Sequence, residues 1–193
     1  MNLVQKLKGN EIILDCGKSL RNFFEAAQSK SKEILTTDIN IFMDYPDIRA
    51  DVCDKNKFTN YRNSFDVVVC FSLIEHTYNP FLACENLFEV CKPGGYIYGS
   101  APFLFPRHSP NNLSYQDFFR FTRDAYAVLF PEAKSIVLYP LRGRFATALN
   151  VLTLRYRFSF EKNFPKFSKK VSQLLSRGNN VLQASGYAFI ISK

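Results

Sequence analysis

Asp15 and Gly17 stand in ILDCGKSLRN, residues 13–22, where an apolar run meets a single glycine and then a helical pattern. A strand, a tight turn and a helix in that order bring backbone N–H groups and the positive end of a helix to the strand's carboxyl end, where open α/β sheets bind ligands. Asp38 ends the next apolar run, 23 residues beyond Asp15, where a carboxylate can accept hydrogen bonds from ribose hydroxyls. Lys18 and Arg21 could partner a ligand carboxylate from the same turn. The chain has only two histidines, His76 and His108, and imidazole is the side chain suited to taking a proton near neutral pH. Tyr115 is a weaker base, because a phenol holds its proton too tightly.

Positioning these groups requires a layered scaffold, and the hydrophobic pattern supplies one. The runs EIILDC, EILTTDI, RADVC, FDVVVCFS and GYIYGSAP alternate with helical patterns, which predicts βαβ units and a parallel sheet. FDVVVCFS lacks polar alternation, as a central strand buried on both faces does. Leu20, Phe23, Phe24 and Ala27 recur at helical spacing behind the first strand, with Ser19 as a candidate cap. Asn79 and Pro80 predict the cap and first turn of a helix with Phe81, Cys84, Leu87, Phe88 and Cys91 on its inner side. KPGG then ends that helix. RFTRDAYAVLF predicts another helix, and SIVLYPL and SGYAFIIS two last strands.

A chain of 193 residues suits one domain with a sizeable core, spanning 1–193. Its net charge of +8 is uneven, with 11 Lys/Arg against 13 Asp/Glu in residues 1–100 and 14 against 4 in residues 101–193. Much of the excess lies in a basic, aromatic-rich insertion, residues 141–180, between the last two strands, too long for a hairpin loop. Such a segment suits an anionic or lipid-linked acceptor, or peripheral contact with an anionic membrane surface. Nucleic acid is disfavoured, since no compact stacking pattern stands apart from core aromatics. The five cysteines are odd in number and lack a C-x-x-C pair, so reduced core residues are expected, with no disulfide framework and no metal site. Neither a signal-peptide pattern nor a membrane-length apolar run occurs, which predicts a soluble cytoplasmic protein.

The most specific stretch is FDVVVCFSLIEHTYNPFLACENLFEVCKPGGYIYGSAPF, residues 65–103. With LDCG, TTDI and PDIRADV it resembles the class I S-adenosylmethionine-dependent methyltransferases, in the type 11-like branch with FDxVxCxxxLEHxxxP followed by LKPGG. The resemblance covers roughly residues 11–130. HSPNNLSYQDFFRFTRDAYAVLF further resembles a segment of methyltransferases found with surface-polysaccharide synthesis.

The resemblance implies a single Rossmann-like α/β domain with a mostly parallel seven-stranded sheet, helices on both faces and S-adenosyl-L-methionine as cofactor. Asp15 and Gly17 would contact its methionine part, Asp38 its ribose and Asp51 its adenine amino group, with Val52 flanking the ring. Phe71, Ser72 and Leu73 would form the wall beneath the sulfonium, with Glu75 and His76 just beyond. The implied reaction is O-methylation of a sugar or another small molecule, with His76 and His108 as alternative bases. Glu75 and His76 have a second possible role, as a hydrogen-bonded pair that shapes the loop.

This chain departs from that family at Ser19 and Arg21, where glycine is common. A left-handed Ser19 would cost about 1–2 kcal/mol, about tenfold in affinity. The expectation is a narrowed but open site. Two other readings are a binding module that has lost the cofactor and an NAD-dependent oxidoreductase, the latter weakened by the absent three-glycine fingerprint.

Overall fold

The computed structural model describes residues 3–41, 43–109, 116–143, 147 and 184–193. Its elements run β1 (Ile12–Cys16), α1 (Phe24–Gln28), β2 (Glu33–Asp38), β3 (Ile48–Arg49), α2 (Lys55–Phe58), β4 (Phe65–Phe71), α3 (Pro80–Val90), β5 (Cys91–Pro102), α4 (Ala125–Leu129), β6 (Ser135–Leu141) and β7 (Gly186–Ser192). The seven strands form one sheet in the order β3-β2-β1-β4-β5-β7-β6. The first five pair in parallel, and β7 lies antiparallel between β5 and β6. This is the Rossmann-like class I methyltransferase architecture expected from the sequence. Within residues 141–180, only 141–143 and 147 are described, so the expected insertion lies almost wholly outside the described residues.

Alternation along the central strands sorts the core onto two faces. Leu14, Cys16, Val68, Cys70 and Ile97 pack on one side with α3 and α4 residues such as Leu87 and Tyr126. Ile13, Val67, Val69 and Tyr98 pack on the other with Leu20 and Ala27. All five cysteines are buried and free, as reduced core residues should be. Among the described residues no helix is long and apolar enough to cross a membrane.

Several elements are shorter than their patterns predict. Only Ile48–Arg49 pairs with β2, so Asp51 and Val52 of RADVC lie in the turn beyond β3. There the Asp51 carboxylate accepts from the Cys53 N–H at 2.9 Å and closes the turn. The first helix is a 3₁₀ turn at Arg21–Phe23 followed by five α-helical residues. It is too short for a substantial macrodipole, and Phe23 on its predicted inner stripe is 65% exposed. Asn79 caps α3 as expected, accepting from the Leu82 N–H at 3.2 Å, with Pro80 in the first turn. Phe81 is 58% exposed, not inward, and Cys91 and KPGG already belong to β5. RFTRDAYAVLF is helical only over α4, because the chain before it is tied to other segments: the Phe118 and Phe119 N–H groups donate to the Glu75 carbonyl and the Phe121 N–H to that of Pro102.

Candidate active site

The parallel strands end at one edge of the sheet, and the strand order reverses where β1 sits between β2 and β4. Crevices form at such reversals because the connections leave in opposite directions. A cleft of about 1020 Å³ opens there. Of the residues singled out from the sequence, Gly17, Asp38, Asp51, Val52, Ser72, Leu73, His76 and His108 line it. Asp15 and Phe71 are not among its lining residues.

The β1, β2 and β3 ends build one region of this cleft. Gly17 has φ +65°, and a Cβ there would meet Leu73 Cδ1 at 3.1 Å. The left-handed strain expected at Ser19 falls instead on Lys18 (φ 53°) and Arg21 (φ 44°). Ser19 is buried, and its hydroxyl stitches two strands together: it donates to the Cys16 carbonyl at the end of β1 and accepts from the Phe71 N–H of β4 at 2.8 Å. Asp15 is also buried, and its carboxylate accepts from the Leu20 N–H at 3.1 Å. Asp15 thus holds the turn after β1, where a direct ligand contact was expected. Burial pushes its carboxyl up to about 6, opposed by the Leu20 and Ser19 N–H groups. Asp38 projects from the end of β2, one oxygen accepting from the Asn40 N–H at 2.9 Å. Tyr45, not singled out from the sequence, supports this region, since its hydroxyl accepts from the Lys18 N–H at 2.8 Å and its ring lies under the Lys18 ammonium.

The second region joins residues from three separate segments. Ser72 leaves β4 with φ 51° and begins the turn carrying Glu75 and His76. Glu75 is 0% exposed, and neither carboxylate oxygen has a hydrogen-bond partner among the described residues. Its Oε1 lies 3.8 Å from His76 Nε2 and 3.6 Å from His108 Nε2. The alternative reading of Glu75 and His76 as a hydrogen-bonded pair is therefore not met, the 3.8 Å separation being too long. His76 Nδ1 lies 2.7 Å from the Gln116 carbonyl. A carbonyl only accepts, so Nδ1 carries the proton and Nε2 faces the carboxylate with its lone pair in the neutral ring.

His108 Nδ1 is 3.3 Å from Asp117 Oδ2, without hydrogen-bond alignment, while its backbone N–H donates to the same oxygen at 2.9 Å. Glu75, and then Asp117, hold the His108 imidazole above its usual range against the effect of burial. Arg120 grips Asp117 through both terminal nitrogens, one at 2.7 Å, and keeps its carboxyl down at about 2. Arg120 also donates to the Phe105 and Pro106 carbonyls at 2.9 and 3.0 Å, so a single side chain ties the His108 loop to the DFFR segment. Asp117 and Arg120 were not picked out as site residues, although both stand in the quoted DFFRFT segment. Tyr115 lies outside the described residues.

The donor set suits an adenosylated amino-acid cofactor. Gly17 leaves a cradle that a Cβ would fill, acids stand at the ends of β2 and β3, and the volume is at the upper end for small-molecule pockets, with room for a second ligand. Residues 13–99 match the family described as a methyltransferase domain. Among solved structures, the chain is similar to Haemonchus contortus phosphoethanolamine N-methyltransferase 2 in complex with S-adenosyl-L-methionine (TM-score 0.60, 15% identity, 97% of this chain and 49% of that one). It is also similar to an S-adenosylmethionine-dependent methyltransferase from Archaeoglobus fulgidus (TM-score 0.61, 14% identity, 98% and 89%). A third match is Burkholderia thailandensis 1,6-didemethyltoxoflavin-N1-methyltransferase with 1,6-didemethyltoxoflavin and S-adenosylhomocysteine bound (TM-score 0.54, 10% identity, 96% and 72%).

At these identities the likeness is one of fold, and the chain spans about half the length of the phosphoethanolamine enzyme. No curated protein matches the sequence. The family match falls on the part of the chain that builds β1 to β5, and the sheet order agrees with a Rossmann-like fold.

Proposed function

We propose that this protein transfers a methyl group from S-adenosylmethionine to a hydroxyl of a sugar or another small molecule in the cytoplasm. The observation that carries this reading is that one cleft holds both the Gly17, Asp38 and Asp51 set and the Glu75, His76 and His108 cluster. Bound there, S-adenosylmethionine supplies an electrophilic methyl group on a good leaving group, so alignment of the acceptor can provide much of the acceleration.

The residues divide that work. Gly17 permits close approach of the backbone, Asp38 accepts from the ribose hydroxyls, Asp51 meets the adenine amino group and Val52 flanks the ring. Arg21 and Lys18 face the carboxylate of the methionine part. Ser72 and Leu73 form the wall beside the reacting centre. The cluster beyond them receives the acceptor hydroxyl and the proton it loses, with His108 oriented by Asp117 and Arg120. The small molecules bound in similar structures, phosphomonomethylethanolamine and 1,6-didemethyltoxoflavin, support a small-molecule substrate. The segment like that of surface-polysaccharide methyltransferases supports a sugar, and the basic second half supports an anionic or lipid-linked one.

Titration calorimetry with S-adenosylhomocysteine and with NAD tests the reading. S-adenosylhomocysteine should bind and NAD should not, and Asp38→Ala should weaken binding about tenfold to a hundredfold, the worth of a charged hydrogen bond. A wild-type protein that binds no S-adenosylhomocysteine would overturn the assignment.

A further inference from the structure

We propose that Glu75, His76 and His108 form a binding site for a first-row divalent metal ion at the acceptor end of the cleft. The inference rests on the reading that this end receives the acceptor, and it assigns the activation of the acceptor oxygen to a metal ion in place of a free imidazole.

Three observations carry it. The first is convergence: one ligand atom from each of the three residues lies within 4.8 Å of the others. Glu75 Oε1 is 3.8 and 3.6 Å from the two Nε2 atoms. Two ligand atoms on a tetrahedral zinc ion stand about 3.4 Å apart, given bonds of about 2.1 Å. The two carboxylate edges therefore need to close by only a few tenths of an ångström, and the edge between the two imidazoles by up to about 1.4 Å.

The second observation is a buried carboxyl group that makes no hydrogen bond. Glu75 is fully buried, lines the cleft, and has no hydrogen-bond partner for either oxygen among the described residues. A buried carboxylate is costly unless a cation or donors meet it.

The third is the orientation of the rings. His76 directs its Nδ1–H to the Gln116 carbonyl at 2.7 Å, and His108 turns its Nδ1 toward Asp117 at 3.3 Å. For His76 an outer acceptor on the far nitrogen is the arrangement that fixes the tautomer of metal-binding histidines and presents Nε2 to the ion, whereas His108 Nδ1 faces Asp117 without hydrogen-bond alignment. Arg120 in turn fixes Asp117.

Two nitrogens and one carboxylate suit zinc, manganese, cobalt or iron better than magnesium or calcium, which prefer oxygen alone. Three protein ligands leave positions open on the cleft side for water or for acceptor oxygens. An acceptor that offers neighbouring oxygens, such as a sugar diol, fits those positions.

The test is titration of tag-free protein with cobalt(II) chloride, followed by visible absorption and checked by zinc(II) competition, with S-adenosylhomocysteine binding measured in parallel. One equivalent of cobalt should bind, giving d–d bands without thiolate charge transfer. Glu75→Gln and His108→Gln should each weaken uptake at least about tenfold, and Asp117→Asn should weaken it less while leaving all three ligands in place. His108 is less buried than Glu75, so its variant serves if Glu75→Gln does not fold. No uptake of cobalt or zinc, a thiolate signature, or unchanged affinity in Glu75→Gln and His108→Gln would overturn the site. Loss of the metal site with S-adenosylhomocysteine binding intact refutes this inference alone, whereas failure to bind S-adenosylhomocysteine refutes the methyltransferase reading.

Discussion

The two regions of the cleft are built on opposite terms. Beside β1, β2 and β3, the cleft takes its form from backbone shape, with a glycine at φ +65° and acids that close turns at strand ends. Beyond β4, it comes from side chains that meet across loops, around a carboxylate whose burial is complete. The first arrangement is local and tolerates change in the surrounding side chains. The second depends on three segments keeping their places, and Arg120 and Asp117 hold two of them together.

This contrast can be broken at Gly17 with the largest effect. Gly17→Val should weaken S-adenosylhomocysteine binding at least about a hundredfold, since the new side chain meets Leu73 and a β-branched residue is strained at positive φ. Calorimetry on the folded variant checks it, and affinity within threefold of wild type would show that the cradle is not used.

Asp15→Asn comes next. The Asp15 carboxyl is pushed up to about 6 from 3.8, so its folded-state pKa is raised. Its favourable contribution is full below about pH 4 and lost as pH rises through about 6. The variant keeps an acceptor for the Leu20 N–H and should be more stable than wild type by about 2 kcal/mol at pH 8, with the difference vanishing near pH 4. Urea denaturation at both pH values measures it.

Ser19→Ala leaves the buried Phe71 N–H without its acceptor and should cost about 1–2 kcal/mol in the same assay. Arg21→Gly sharpens the comparison with the smallest effect. Relief of the φ of 44° nearly offsets the added freedom of the unfolded chain, so stability should change by less than about 1 kcal/mol. S-adenosylhomocysteine affinity should nonetheless fall a few-fold if Arg21 meets the carboxylate.

The sheet was legible in the sequence because buried parallel strands leave continuous apolar runs, and six of the seven runs became strands while RADVC gives only Arg49 to β3. Their ends were less legible. RADVC has strand composition, yet a carboxylate turn at Asp51 ends pairing at Arg49. Residue type also says nothing of side-chain direction, and the Asp15 carboxylate, expected to meet a ligand, accepts from the Leu20 N–H. Ser19 marked a real departure from glycine, but the chain moved the left-handed conformation to its neighbours. In the second region His76 and His108 stood out by rarity. Their meeting at Glu75, and the support from Asp117, depended on a long-range fold of the DFFR segment that no local pattern encodes.

The Ser19 stitch has a mechanical consequence. Strands that diverge at a topological reversal are free to splay apart, but here one hydroxyl clamps their tips to a set width. The amide of Phe71 should exchange its hydrogen equally slowly whether the chamber is full or vacant.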